Sequence, residues 1–154
     1  MILAKKIVLV TGIVFIAIQF FHPALNKSYQ FQDTDISKMV ATPNRVLSIL
    51  KNDCYDCHSN HTVYPWYSHI QPVGWWLALD IKNAKEQLNF SEFGSYSTRR
   101  QLSKLDEIAN SIKDNIMPLF SYKLMHKNAQ LSTEEKALLI NWAQQAKDIL
   151  TVKN

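Results

Sequence analysis

The feature that most constrains this chain is the run Cys-Tyr-Asp-Cys-His at residues 54–58, which contains the only two cysteines of the sequence. A C-x-x-C-H run is typical of covalent haem attachment. The thiols of Cys54 and Cys57 add to the two vinyl groups of the porphyrin, and the imidazole of His58 binds the iron as an axial ligand. We therefore predict haem c, covalently attached, with one haem per chain.

A C-x-x-C pair has other common uses, which have to be weighed against haem. In thioredoxin-like proteins the pair is a redox dithiol within a βαβ unit, and this sequence does not offer such a unit. A structural zinc site needs two further ligands, which His61 and His69 would have to supply. A dithiol, a disulfide and a zinc site therefore stay open as alternatives.

Length and composition predict one helical domain with an N-terminal extension. A chain of 154 residues is too short for two ordinary domains and such an extension. Hydrophobic residues make up 47% and there are only 3 glycines, so we expect an ordered, mostly helical body. The net charge of +4 includes Lys5 and Lys6, and the remaining charges nearly balance. The sequence therefore gives no reason to expect nucleic-acid binding.

Residues 1–25 have the pattern of an export signal. Lys5 and Lys6 precede an apolar run over residues 7–21, and no small-x-small cleavage site follows. We predict an uncleaved signal anchor, although fifteen residues of helix reach only about 22 Å against a hydrocarbon core near 30 Å. Lysines on the N-terminal side predict a single-pass protein of the cell inner membrane, with its body on the periplasmic side.

After the anchor, residues 26–41 are polar with little periodicity, and we predict that they form a tether. The domain is then expected over residues 42–154. Thr42 and Pro43 suit the N-cap and first position of a helix that runs into the haem motif. A helix over residues 98–114 is predicted next, with Asn115 as the left-handed residue that ends it. Its expected apolar face is Leu102, Leu105, Ile108, Ala109 and Ile112.

A capping box predicts the start of a C-terminal helix, with Ser132 as N-cap and Glu135 as its reciprocal partner. The expected apolar face of this helix is Leu138, Leu139, Trp142, Ala143, Ala146, Ile149 and Leu150. We expect it to pack across the helix that precedes the haem motif and to cover one haem edge. Trp142 is expected to be a core residue.

The second axial ligand is predicted to be Met117. Pro118 forces the methionine into an extended backbone, so a short rigid loop holds its sulfur in place. A thioether is a soft neutral ligand that raises the haem potential relative to a second imidazole. His126 is the alternative, and a sixth ligand could also be absent. Met125, His61 and His69 are further candidates, whereas His22 is excluded by its place at the membrane edge.

An aromatic segment follows the haem motif, with flat apolar side chains suited to lining a porphyrin and polar tips that could reach its propionates. These side chains are Tyr64, Trp66, Tyr67, Trp75 and Trp76. They are equally suited to an ordinary core. Arg99 and Arg100 could pair with propionates, but surface positions on their helix are the expectation.

Several ordered motifs resemble the bacterial haem-binding domain family of single-haem c-type proteins. These motifs are Cys-x-x-Cys-His-Ser-Asn at 54–60, Tyr-Pro-Trp-Tyr-Ser at 64–68, Pro-Val-x-Trp-Trp-Leu at 72–77, Asn-Phe-Ser-Glu at 89–92, Met-Pro at 117–118 and Ala-x-Leu-Ser-x-x-Glu at 129–135. The resemblance covers the chain from about residue 42 onward. It implies an all-α, cytochrome c-like helical haem domain with Cys54, Cys57 and His58 in the roles given above. Cytochromes usually have glycine at the position of Asn115, but asparagine tolerates the same backbone region.

The sequence therefore predicts an exported, membrane-tethered single-haem electron carrier, which meets a redox partner protein and requires no small-molecule substrate. One alternative is a haem enzyme or a gas or redox sensor with an open or labile distal position for peroxide, NO or CO. In that case His61, His69 or His126 could act as acid or base. A haem-bearing module that reports redox state to a partner is a further alternative.

Overall fold

A computed structural model describes residues 2–28 and 33–152, and this part of the chain is all-α. The helices are α1 (Ile2–Ile18), α2 (Ile36–Met39), α3 (Asn44–Asp53), α4 (Tyr55–His58), α5 (Val73–Gln87), α6 (Thr98–Lys113), α7 (Phe120–Met125) and α8 (Thr133–Val152). Three 3-10 turns complete the fold, at Trp66–His69, Phe90–Ser95 and Lys127–Ala129. Within the described ranges extended pairing is limited to one isolated bridge, between Lys27 and His61. The predicted all-α class is confirmed.

The core is built where α6 and α8 pack side by side and α3 meets α8. Leu105 of α6 and Leu139 of α8 are both fully buried. The predicted apolar face of α6 is confirmed, with Leu102 only partly buried. On α8 the prediction fails at Ile149, which is 50% exposed. The C-terminal helix thus packs mainly on α6 rather than on the helix before the haem motif.

A serine caps the N-terminus of each of these two helices, and the cap of α8 is the one predicted from the sequence. Ser97 caps α6, and its hydroxyl accepts a hydrogen bond from the Arg100 amide. The capping box of α8 is confirmed: the Ser132 amide donates to the Glu135 carboxylate at 2.8 Å, and the Glu135 amide donates to the Ser132 hydroxyl at 3.2 Å. These bonds hold the pKa of Glu135 below its usual range.

The helix expected to run from Thr42 through the haem motif is interrupted. It begins at Asn44 because Pro43 has an extended backbone, and the Thr42 hydroxyl donates to the Val40 carbonyl instead of capping. It ends at Asp53, since Cys54 leaves the helical region at φ −128°. The short helix α4 then carries the second thiol and the imidazole, so the haem motif forms a separate turn.

The segment expected to be a tether packs on the domain in its described parts. Ile36 is fully buried and Val40 nearly so, because the capping carboxylate of Asp35 starts a turn of helix that directs both inward. The Tyr55 hydroxyl donates to Asp35 at 2.9 Å, which joins this turn to the haem motif. Trp142 is buried as expected, and its indole N–H donates to the Ala41 carbonyl. Residues 29–32 lie outside the described part.

Helix α1 has no buried residue. In the described residues, no helix combines the length and the apolar character that a membrane crossing demands. The side chain of Gln19 joins the end of α1 to the domain. Its Nε2 donates to the backbone carbonyl of Gln71 at 3.1 Å, and its Oε1 accepts from the backbone amide of Gln71 at 2.9 Å.

Candidate functional site

His58 is held in one orientation by a backbone carbonyl. Its Nδ1 lies 2.9 Å from the carbonyl oxygen of Leu88, the residue that follows α5. Because a carbonyl oxygen can only accept a hydrogen bond, Nδ1 carries the proton and Nε2 keeps its lone pair. This is the arrangement that orients a metal-binding imidazole in proteins. Burial lowers the pKa of His58, an effect opposed in part by the bond to Leu88, so the ring is held in its neutral, ligating form.

The two thiols are held in their neutral form as well. Burial raises the pKa of Cys54 and of Cys57 to about 12, and the neighbouring Asp53 and Asp56 add to the effect. The cysteines are not bonded to each other. Since dithiol redox chemistry uses the thiolate, this environment disfavours a redox dithiol, whereas a neutral thioether costs no buried charge.

The residues proposed for a zinc alternative do not gather around the thiols. Across residues 2–28 and 33–152, no group of three or more His, Cys, Asp or Glu side chains is placed to hold a metal ion. His61 pairs with Lys27 through the backbone, and His69 is exposed.

His58 and Met117 border the same mostly apolar cavity, of about 260 Å³. Cys54 also lines this cavity. Its other walls are Leu50, Asp53, Gln87, Leu88, Phe90, Glu107, Ile108, Ser111, Ile112 and Pro118. A nitrogen donor and a soft sulfur donor thus border one mostly apolar space.

Met117 is positioned by the end of α6. Asn115 has φ 58°, which confirms the predicted left-handed residue. Its amide donates to the Ile112 carbonyl, and the Ile116 amide donates to the Ser111 carbonyl at 2.9 Å, which is the Schellman arrangement. The Met117 amide donates to the same Ser111 carbonyl at 3.2 Å, so the backbone of the methionine is tied to the helix.

A second cavity, of about 370 Å³, lies on the Cys57 side of the haem motif. Its walls include Cys57, Tyr67, Trp76, Leu77, Leu119, Phe120 and Tyr122. The segment 117–120 lies between the two cavities. Met117 and Pro118 border the His58 cavity, and Leu119 and Phe120 border the second one. Apolar walls thus lie on each side of the haem motif, and the donor set of two thiols, an imidazole and a thioether fits haem.

The alternative ligand His126 does not line the cavity that His58 and Met117 share. It borders a separate polar cleft of about 950 Å³ together with Asp53 and Asp56. Its ring stacks on Tyr122 at 4.1 Å between centroids. Met125 borders this cleft and the second cavity, and so also lies apart from His58.

Of the aromatic segment, the structure brings only Tyr67 and Trp76 to the haem motif. The Tyr64 hydroxyl accepts from the Asn26 amide, the Trp75 indole donates to the Phe21 carbonyl, and Trp66 is 73% exposed. Tyr64 and Trp75 therefore bond to the N-terminal segment instead, and the Trp66 ring meets that of Tyr67 edge-on.

The arginines lie on the surface, as expected. Arg99 and Arg100 are both exposed, and neither lines the two cavities beside the haem motif. The guanidinium of Arg100 lies 4.0 Å from the centre of the Tyr96 ring, a cation–π contact.

Sequence reasoning missed three residues of the site. The Leu88 carbonyl carries no side-chain signal and lies thirty positions from His58. Phe90, which is 2% exposed, packs its ring 5.8 Å from that of His58. Asp53 borders the cavity, and burial, with the charge of Glu135, raises its pKa to about 6. Only Phe90 had a signal, as part of the Asn-Phe-Ser-Glu motif.

A model of the haem-binding domain family matches residues 13–145. The chain belongs to the haem-binding domain family. No curated protein and no solved structure matches it. In this haem-binding domain protein the match begins within α1, well before the expected boundary near residue 42. The described residues 19–28 explain the difference, because several of them bond to the domain and are part of its structure.

Proposed function

We propose that this haem-binding domain protein is a single-haem electron carrier of the c type. Cys54 and Cys57 form the two thioether links, His58 is the proximal ligand and Met117 is the distal ligand. The observation that carries the proposal is that His58 and Met117 border one mostly apolar cavity, from which His126 is absent.

The residues of the chain have distinct tasks in this proposal. The Leu88 carbonyl orients the imidazole, and burial keeps it neutral. The Schellman turn holds the backbone of Met117, so the sulfur stays in place when the charge of the iron changes. When bound, the haem supplies a one-electron couple between ferrous and ferric iron. Apolar walls around it exclude water and favour a high potential.

We also propose that the protein is attached to the inner membrane through α1, with the haem domain on the periplasmic side. The apolar side chains of α1 are exposed all round, which in proteins is typical of a helix surrounded by lipid. Lys5 and Lys6 near its start favour a cytoplasmic N-terminus. A redox partner would then be another protein that reaches the periplasmic face.

Absorption spectroscopy of the protein from a host that attaches haem c tests the ligands. We expect haem to stay on the unfolded polypeptide, and the ferric protein to show the sulfur-to-iron charge-transfer band. Met117→Ala should remove that band, whereas Met125→Ala, which alters a methionine outside the His58 cavity, should keep it. A Met117→Ala spectrum identical to that of the unchanged protein would reject the assignment and direct attention to His126.

Carbon monoxide separates the carrier from a haem enzyme or a gas sensor. The reduced protein should not change its spectrum when CO is added, because both axial positions are filled. Met117→Ala should bind CO, since its distal position is open. Binding of CO by the unchanged protein would favour the enzyme or sensor.

A further inference from the structure

We propose that a collar of exposed apolar side chains around the end of α1 rests on the lipid bilayer and holds the haem domain against it. The collar is Phe20 (80% exposed), Phe21 (68%), Trp66 (73%), Ile70 (39%) and Trp75 (39%). This inference rests on the proposed membrane attachment through α1, and goes beyond it by fixing which face of the domain meets lipid.

The first argument is that the end of α1 is bonded to the domain rather than connected by a loose linker. Gln19 and Gln71 exchange two hydrogen bonds, and Gln71 is fully buried. The side chain of Gln71 also lies 3.2 Å from Nδ1 of His22. The indole N–H of Trp75 donates to the Phe21 carbonyl at 2.7 Å. The orientation of the domain therefore follows that of α1.

The second argument is that the collar residues outside the N-terminal segment belong to the turn and the helix that flank Gln71. Ile70 precedes Gln71, and Trp75 follows it by one turn. Trp66 begins the 3-10 turn that leads into Ile70. The turn and the start of α5 are in close contact, because a Cβ on Gly74 would meet the Ser68 carbonyl oxygen and the Gln71 side chain. The packed turn and helix thus bring their collar residues to the part of the domain that is bonded to the end of α1.

The third argument is chemical. Residues 1–32 and 57–79 contain no Asp or Glu, although the chain has 13, so an anionic lipid surface meets no opposing carboxylate in these segments. Tryptophan is favoured at the boundary of a bilayer, where its ring is apolar and its N–H is polar. The 17 residues of α1 span about 26 Å, less than a hydrocarbon core near 30 Å. A short apolar helix draws its flanking residues toward the bilayer, and here these are Phe20 and Phe21 of the collar, followed by the domain bonded to them.

Photo-crosslinking to lipid tests the collar in the full-length, haem-loaded protein. The photoreactive residue p-benzoylphenylalanine replaces Trp66 or Ile70 in protein reconstituted into nanodiscs of phosphatidylcholine and phosphatidylglycerol. Ile149, an apolar residue of α8 that is 50% exposed, is the matched control, and Phe15 within α1 is the membrane reference. An unchanged haem spectrum in each variant shows that the domain is folded.

We expect lipid adducts at Phe15, Trp66 and Ile70 in clear excess over Ile149. Adducts at Phe15 alone would overturn the collar and leave the attachment through α1 standing. Adducts at none of the four positions would overturn both, and would identify the membrane attachment as the failed premise. Crosslinks from Trp66 or Ile70 to a second copy of the chain would also overturn the proposal, because the collar would then be a protein interface.

Discussion

The backbone of Asn115 offers a sharp test of how the distal ligand is positioned. Asn115 has a φ of 58° and follows the end of α6. The backbone amides of the next two residues both donate to the Ser111 carbonyl of that helix. Replacing Asn115 by alanine or by glycine removes the same side-chain amide, including its hydrogen bond from Lys136. The two variants therefore differ only in the Cβ atom at a left-handed position.

The expected difference between these variants can be worked out from the conformation. A Cβ in the left-handed region costs roughly 1–2 kcal/mol. Alanine recovers about 0.4–1 kcal/mol because it restricts the unfolded chain more than glycine does. Asn115→Ala should therefore be less stable than Asn115→Gly by about 1 kcal/mol, or roughly 2–4 °C in Tm for a chain of 154 residues.

Thermal unfolding and the sulfur-to-iron charge-transfer band together report the outcome. If the left-handed turn positions Met117, the band should be retained in Asn115→Gly and weakened in Asn115→Ala. Equal stability and equal spectra in the two variants would refute the reasoning, because the Cβ would then meet no restriction at this position.

Three further predictions concern the fold. Leu105→Ala should lower the free energy of unfolding by about 2–5 kcal/mol because the site is fully buried. Ile149→Ala, at an exposed site, should change it by about 0.5 kcal/mol or less. Equal losses in a denaturant titration of the two variants would contradict this. Gly74→Ala should destabilise the protein by about 1–3 kcal/mol because the added Cβ meets the carbonyl oxygen of Ser68. Gly12→Ala should not destabilise it, because the space around Gly12 is open. Equal melting temperatures of the two variants would contradict this. Ser132→Ala should cost about 1 kcal/mol at neutral pH. The bonds from Ser132 lower the pKa of Glu135 in the folded state. Their contribution to stability is therefore present above the ordinary glutamate pKa of about 4.3 and is lost as pH falls below it. A destabilisation by Ser132→Ala that does not change with pH would contradict this.

The parts of the structure that could be predicted from the sequence depend on local signals. The capping box of α8 and the left-handed Asn115 each lie within a few residues, where steric and hydrogen-bonding preferences act directly. The fold class followed from composition and from the periodicity of α6 and α8.

The parts that could not be predicted depend on contacts between distant residues. The Leu88 carbonyl acquires its role only when α5 brings it to His58. Ile36 is buried by a helix of four residues, which is too short to produce a periodic pattern. The break at Cys54 has no counterpart in the sequence, because the apolar pattern of the preceding helix continues through it.

Helix α5 joins the two ends of the molecule that matter for function. It begins next to Gln71, which is bonded to the end of α1, and it is followed by Leu88, which holds His58. Its 15 residues measure about 22 Å. If α1 lies in the membrane as proposed, α5 is the element that separates the junction at Gln71 from the carbonyl that orients the His58 imidazole. The residue count of α5 then sets the separation between these two points, at about 1.5 Å of helix for each residue.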